Sequence, residues 1–187
     1  MGKFDPYKVE LKNMQQNTQE IEYLLDNDFF THIDGEEVQK GKVNVQLTVA
    51  KVNDMYDLSF QLNGQVMIPC DRCLDDMTLP VETTSHLIVK MGKDFSEESD
   101  EIVIIPETEG YINLAWFLYE FVALTIPIKH VHGPGKCNKQ MSSKLKKHTA
   151  SLEGDESAEA LESEEDIIIS DNDDTTDPRW DALKDLK

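Results

Sequence analysis

The chain has 187 residues, of which 39% are hydrophobic and 29% are charged, and its formal net charge is −19. This length suits one domain with tails, and no apolar run approaches the roughly 20 residues that cross a bilayer. The first residues lack the apolar stretch of a secretory signal, and the three cysteines cannot all pair with one another. We therefore expect a cytoplasmic protein with reduced thiols.

Charge is distributed unevenly along the chain. Residues 151–187 hold 14 acids and 3 basic residues, and residues 151–178 hold 12 acids without any Lys or Arg. Such a stretch cannot bury enough apolar surface to offset its conformational entropy. We predict a single α+β domain over residues 1–150, a disordered acidic linker over 151–176, and a short terminal helix over 177–187.

Alternation of apolar and polar residues predicts a long antiparallel hairpin in the first half of the chain. Residues 42–49 and 56–68 alternate on either side of a turn at Asn53 and Asp54. Gly64 interrupts the second strand, and we interpret it as a bulge.

Weaker patterns flank this hairpin. Residues 21–25 alternate like a strand, and residues 29–33 resemble a short packed turn. After the hairpin, alternation predicts a strand over residues 79–91 and a short one over 102–105, which ends at Pro106.

One segment has the composition of a buried helix. Residues 112–125 are apolar on nearly all sides and too few to span a bilayer, so we predict a core helix that ends before Pro127. We expect its large side chains to be buried: Trp116, Phe117, Leu118, Phe121, Val122 and Leu124. The predicted fold is α+β, an antiparallel β-sheet, open or barrel-like, packed by one buried helix.

A metal site is the first candidate for chemistry. Cys70 and Cys73 form a C-x-x-C pair in the predicted turn between two strands, and two such thiolates can supply half of a tetrahedral zinc site. His132 and Cys137 provide a second pair after a gap of 58 residues, with His130 as a competing ligand. We treat zinc as a candidate cofactor held by Cys70, Cys73, His132 and Cys137.

Two other interpretations of the C-x-x-C pair stay open. A thiol redox centre of the thioredoxin type opens a helix, which lowers the thiol pKa, but here the pair leads towards a strand. The pair can also be a structural turn with free thiols. The sequence contains no glycine-rich phosphate loop, nucleophile elbow or His-Glu-x-x-His motif, so we expect neither an enzyme nor a small-molecule substrate.

Residues 129–148, the basic segment, contain six lysines, three histidines and no acid. Positive patches gain affinity for phosphate backbones through counterion release, with little sequence information. The candidate nucleic-acid contacts are Arg72, Lys129, Lys136, Lys139, Lys144, Lys146 and Lys147. A solvated surface loop, or a partner for the chain's own acidic residues, is the alternative.

The last residues carry an amphipathic pattern. Asp177 suits a helix cap and Pro178 a first helical position, and Trp180, Leu183 and Leu186 share one face. An amphipathic end on a flexible tether is typical of a docking peptide. The alternative is that these three side chains pack back onto the chain's own domain.

The order of these features resembles that of the YceD family of bacterial proteins. The resemblance rests on a β-rich half ending in Cys70-Asp71-Arg72-Cys73, the apolar helix, a His/Cys segment, and a terminal Asp-Pro-Arg-Trp-x-x-Leu-x-x-Leu over residues 177–186. It implies a role in accumulation of large-subunit ribosomal RNA, hence in ribosome assembly, and no known catalytic activity. The resemblance also implies that His132 and Cys137 fall where many members have a second cysteine pair or a His-x4-Cys.

We therefore expect a non-enzymatic ribosome-biogenesis factor that binds RNA or assembly intermediates. The alternative is an adaptor that recruits a basic ribosomal protein through its acidic residues and terminal helix, and a thiol redox protein is a more remote one. The expected partners are ribosomal RNA or ribosomal proteins, with no membrane.

Overall fold

The structure is a computed structural model that describes residues 2–148, apart from the side chain of Lys146. These residues form an α+β fold, as the sequence predicts, but with three α-helices where one was expected. The elements are β1 (Lys8–Glu10), β2 (Thr18–Leu25), α1 (Asn27–Ile33), β3 (Lys40–Val52), β4 (Met55–Pro69), β5 (Asp76–Gly92), β6 (Ser96–Ser99), β7 (Ile102–Pro106), β8 (Tyr111–Asn113), α2 (Ala115–Ala123) and α3 (Lys139–His148).

The predicted hairpin is confirmed and forms the centre of the sheet. β3 pairs antiparallel with β4 along its whole length, and the two strands join through Asn53, whose φ of 57° lies in the left-handed region that Asn tolerates. Successive side chains of a strand point to opposite faces, so the apolar residues of both strands lie on one face of the sheet and form the core. The buried residues of these two strands include Val43, Val45, Leu47, Val49, Leu58, Phe60 and Leu62.

The interpretation of Gly64 as a bulge is wrong. Gly64 pairs with Val43 on β3 and with Val81 on β5 in an unbroken register. A side chain at this position would collide with the backbone of Lys42 and Val43. The glycine therefore permits a close approach of two strands, which is another usual reason for glycine inside a sheet.

The sheet is mixed, whereas the sequence predicted an antiparallel one. Its strand order is β2-β3-β4-β5-β7-β6, and β7 pairs parallel to β5 and antiparallel to β6. After β5 the chain forms the edge strand β6 and then turns back, so β7 inserts between β5 and β6 and runs parallel to β5. Within residues 2–148 the sheet keeps β2 and β6 as open edges, so the barrel-like form of the prediction is wrong.

The apolar helix is shorter than predicted. Residues 111–113 form β8, which pairs with β1 in a separate two-stranded sheet, and α2 begins only at Ala115. The side chain of Asn113 accepts a hydrogen bond from the N–H of Ala115 (3.0 Å) and so marks the helix start. Backbone pairing with β1 therefore takes residues that apolar character alone assigns to the helix.

The expectation that α2 is buried on all sides is also wrong. Leu118 and Val122 are fully buried, and Phe121 is half-buried with its ring 5.0 Å from that of Phe60. Trp116 is 53% exposed, and Leu124 just beyond the helix is 83% exposed. The helix covers one face of the sheet and has no second layer above it within the described residues, so only one stripe of its surface is covered.

A second helix completes the layer on this face. The residues expected as a packed turn form α1, which Asp26 caps by accepting a hydrogen bond from the N–H of Phe29 (3.0 Å). The hydroxyl of Tyr119 on α2 accepts hydrogen bonds from the N–H groups of Glu37 and Val38 (3.1 and 3.4 Å). The loop after α1 is thereby attached to α2.

The predicted linker over residues 151–176 and the predicted helix over 177–187 lie outside the described residues. The division of the chain at residue 150 accordingly stays a prediction. Among residues 2–148, no helix is both long enough and apolar enough to cross a membrane.

Candidate metal centre

The C-x-x-C pair lies in a tight turn that joins β4 to β5. The N–H of Leu74 donates to the carbonyl of Cys70 (2.9 Å), and the N–H of Cys70 donates to the carbonyl of Asp75 (2.9 Å). Leu74 has a φ of 62°, a left-handed conformation that reverses the chain. Both thiols point inward, since Cys70 and Cys73 are buried.

The segment that carries the second pair crosses this turn. The backbone N–H of Asp71 donates to the carbonyl of His130 (3.0 Å), and the N–H of His130 donates to the carboxylate of Asp71 (2.8 Å). Two residues later, the N–H of His132 lies 3.4 Å from Sγ of Cys70. This exchange of hydrogen bonds joins parts of the chain that are about 60 residues apart.

The four residues of the zinc hypothesis come together. Their ligand atoms all lie within 4.8 Å of one another. Sγ of Cys70 is 4.0 Å from Sγ of Cys137, and Sγ of Cys73 is 3.4 Å from Nδ1 of His132. Tetrahedral zinc with bonds of about 2.3 Å to sulfur and 2.0 Å to nitrogen requires ligand separations of about 3.5–3.8 Å. Three thiols and an imidazole at these distances fit a Cys3His zinc centre.

Local electrostatics prepare one of these thiols for ionisation. Burial opposes ionisation of Cys70, but hydrogen bonds outweigh it and lower the pKa of this thiol to about 6. They come from the backbone N–H groups of His132, Arg72 and Cys73 and from the His132 ring. Burial and the neighbouring thiols raise the pKa of Cys137. Cys70 is therefore ready to act as a thiolate, whereas a cation has to displace a proton from Cys137.

The competing ligand, His130, lies outside the group of four. Its Nε2 is 3.3 Å from the carboxylate of Asp71, and its Nδ1 is 3.1 Å from the carbonyl of Pro127. Both ring nitrogens thus have partners other than the thiols. Of the two histidines, the structure brings His132 to the cysteines.

The basic segment continues directly from this centre into a helix that the sequence analysis missed. Asn138 follows Cys137, and its side-chain oxygen accepts hydrogen bonds from the N–H groups of Gln140 and Met141 (2.9 and 3.4 Å), so it caps α3. Its side-chain nitrogen donates to Asp75 in the C-x-x-C turn (3.1 Å). An Asn ahead of a helix-forming run is a capping signal, and it could have revealed α3.

The candidate nucleic-acid contacts lie on the surface around this centre. Six of them are exposed: Arg72, Lys129, Lys136, Lys139, Lys144 and Lys147. The side chain of Lys146 is not among those that the structure describes. None of these six exposed residues forms an ion pair within residues 2–148. The candidate docking residues Trp180, Leu183 and Leu186 lie outside the described residues.

Comparison with known proteins identifies the family. The family model described as large ribosomal RNA subunit accumulation protein YceD matches residues 58–187, which include all four residues of the Cys3His cluster. No curated protein and no solved structure matches the chain. Because the match covers more than half of the sequence, the chain belongs to the YceD family, whose description is large ribosomal RNA subunit accumulation.

Proposed function

We propose that this chain is a non-enzymatic ribosome-biogenesis factor that supports accumulation of large-subunit ribosomal RNA by binding RNA or an assembly intermediate through its basic segment. The observation that carries the proposal is the placement of α3, which begins two residues after the candidate metal ligand Cys137. The Cys3His cluster and the Asn138–Asp75 hydrogen bond both attach the start of this lysine-bearing helix to the end of the sheet. These two attachments hold the start of α3, and with it the basic segment, in a fixed position relative to the sheet.

Zinc, held by Cys70, Cys73, His132 and Cys137, would act as a structural brace in this proposal. Four protein ligands complete a tetrahedral shell and leave no position for a substrate, which is the pattern of structural sites. A third thiol and an imidazole beside the C-x-x-C pair also favour a metal over a dithiol redox centre. A reducing, cytoplasmic location is part of the same proposal, because the three cysteines have to stay reduced to bind a metal.

The lysines would contact RNA phosphates without reading bases. The basic segment contains no Phe, Tyr or Trp on which a base can stack, so its contribution to affinity is electrostatic. Each phosphate contact that is lost should reduce the dependence of log affinity on log salt by about 0.7–0.9. This makes the salt dependence of binding a direct count of the contacts.

A charge-reversal experiment tests this proposal. Lys139→Glu, Lys144→Glu and Lys147→Glu, combined in the full chain, should weaken binding to large-subunit RNA fragments and lower the salt slope by about 2–3. The matched control combines Lys3→Glu, Lys42→Glu and Lys93→Glu, which are exposed residues elsewhere in the described chain.

Both combinations change the net charge equally, so a loss of affinity confined to the α3 combination supports the basic segment as the RNA contact. Equal losses in both would show that only the net charge matters. An absence of RNA binding by the unmodified chain, in vitro and by crosslinking in cells, would contradict the proposal.

A further inference from the structure

A groove of about 320 Å³ lies at the opposite end of β5 from the Cys3His cluster. It is enclosed by the segment that leads into β6, the end of β7, the strand β8 and the first turn of α2. Its walls are largely apolar, and four of its ten lining residues are aromatic: Phe95, Tyr111, Trp116 and Phe117. The cluster and the groove are separated by most of the length of β5, which for 17 residues is on the order of 50 Å.

Two of these aromatic side chains are more than half exposed, although both are large and apolar. Trp116 is 53% exposed and Phe95 is 57% exposed, whereas Leu118 and Val122 anchor α2 from its buried side. The indole of Trp116 contacts the ring of Tyr119 (centroids 5.5 Å apart) and otherwise faces the groove. Exposed large aromatic residues around a concavity are typical of a protein interaction site.

The rim of the groove is strongly acidic. Residues 94–109 contain seven acids and no Lys or Arg. Glu97 and Glu109 line the groove, and neither forms an ion pair within residues 2–148. Two cations lie near this rim. Lys8, over the ring of Tyr111, pairs with Asp5 (2.9 Å), and the ammonium of Lys12 donates to the backbone carbonyl of Glu107 (3.0 Å). Lys90 pairs with Glu98 (2.8 Å), so the acids of residues 94–109 still outnumber the cations beside them.

The sheet edge beside the groove can also supply backbone hydrogen bonds. β6 pairs with β7 on one side and has no strand on its other side within the described residues. All four of its residues, Ser96–Ser99, are exposed. An extended peptide can pair with such an edge while its side chains enter an adjacent pocket.

We propose that this groove binds a basic protein segment, rich in Lys and Arg, that inserts one bulky apolar side chain between Phe95 and Trp116. The apolar side chain fills the aromatic walls, and the flanking cations lie against Glu97 and Glu109 and over the face of Trp116. The proposal goes beyond the RNA contact of the basic segment and does not depend on it, because the groove carries the opposite charge and lies elsewhere on the molecule.

Charge decides between this occupant and two others. An acidic rim repels phosphates, so stacking of an RNA base on Trp116 is disfavoured. The chain's own residues 177–187 hold three acids and three basic residues and gain little from the rim. A positively charged segment is the occupant that both the aromatic walls and the acidic rim favour.

The test uses the full chain carrying Trp180→Phe. Because the sequence has two tryptophans, this change leaves Trp116 as the single tryptophan. Its emission under excitation selective for tryptophan then reports binding in the groove and not peptide bound by residues 151–178. The ligand is a short synthetic peptide of Lys and Arg around one central Leu, and its control carries Ser in place of Leu. We expect the Leu peptide to change Trp116 emission and to bind about tenfold more tightly than the Ser peptide.

Two matched double variants test the rim. Glu97→Gln with Glu109→Gln should weaken binding of the Leu peptide by about five- to tenfold. Glu20→Gln with Glu22→Gln alters exposed residues on β2, at the opposite edge of the sheet, and should change binding by less than about twofold. Phe95→Ala, read by Trp116 emission in the same way, should weaken binding by about tenfold or more without a change in thermal stability.

Several outcomes would overturn the proposal. One is unchanged Trp116 emission at saturating Leu peptide, and another is equal affinity for the Leu and Ser peptides. Equal losses in the two glutamate double variants would show attraction to net charge alone. Tighter binding by single-stranded RNA or by a peptide of residues 177–187 would assign the groove to one of those occupants instead.

Discussion

The choice between two nearby histidines is made by a single carboxylate. Asp71, inside the C-x-x-C turn, binds both the backbone and the ring of His130, and this contact leaves His132 two residues later beside Cys73. The spacing H-x-H offers either ring as a ligand. The neighbouring acid holds one of them away from the thiols.

Substitution of each histidine in turn tests this assignment. Loss of an outer-shell partner typically lowers the metal affinity of a site by about 10- to 100-fold. His132→Ala should lower the zinc affinity by more than this, because it removes a ligand itself. His130→Ala should retain close to one zinc per chain, since its ring nitrogens contact Asp71 and Pro127. Metal analysis of freshly purified protein, followed by titration with a competing chelator, measures both. Loss of zinc in His130→Ala together with retention in His132→Ala would contradict the assignment.

Trp116 is one of two large side chains, with Leu124, whose predicted burial is wrong. An apolar residue in an apolar helix was expected inside, yet 53% of its surface is exposed. Hydrophobicity gives the tendency of a side chain to be buried, but the number of packing layers decides whether anything covers it. An exposed tryptophan on a well-anchored helix is consistent with the proposed groove.

At the scale of elements, α2 has one face that stabilises the fold and one that does not. Leu118 is fully buried against the sheet, and Leu124, six residues later, is 83% exposed. Leu118→Ala should lower the free energy of unfolding by about 2–5 kcal/mol through lost burial and a cavity. Leu124→Ala should change it by less than about 0.5 kcal/mol.

Urea unfolding of the two variants side by side measures this difference. Both substitutions remove the same atoms, so the pair isolates the effect of burial from that of composition. Similar losses for Leu118→Ala and Leu124→Ala would mean that the exposed side of α2 is covered in the folded protein.

The central strands followed their sequence pattern closely, and the connecting elements did not. Over residues 43–49 of β3 and 56–62 of β4 every second residue is buried, because a period of two is a local property of extended backbone. Residues 112–113 of β8 were assigned to the helix, since so short a segment has no periodicity that separates strand from helix. Only pairing with β1, about a hundred residues away along the chain, makes them a strand.

At the scale of the whole molecule, segments of opposite charge define the proposed activity. The basic segment carries six lysines without an acid, and residues 151–178 carry 12 acids without Lys or Arg. High negative potential on the same chain should compete with RNA phosphates for Lys139, Lys144, Lys146 and Lys147. Screening over about 8 Å at physiological salt makes this competition weak and easily displaced.

A chain ending at Ala150 tests whether the acidic residues compete with RNA for these lysines. At low salt it should bind RNA more tightly than the full chain, and the difference should shrink as salt rises. Zinc content and thermal stability of both forms provide the control for folding. Equal affinity of the two forms at low salt would contradict this competition and favour the adaptor alternative, in which residues 151–187 recruit a basic ribosomal protein.

By itself, the sequence determined the α+β class, the central hairpin, the C-x-x-C turn, the candidate metal ligands with His130 and His132 as rivals, and the family. These depend on local periodicity, on ligand types and on the order of motifs. The tertiary structure decided the insertion of β7, the choice of His132 over His130, the attachment of α3 beside Cys137, and the exposure of Trp116. Each of these depends on which distant segments meet, because strand register and the number of packed layers are set by contacts that no local pattern encodes.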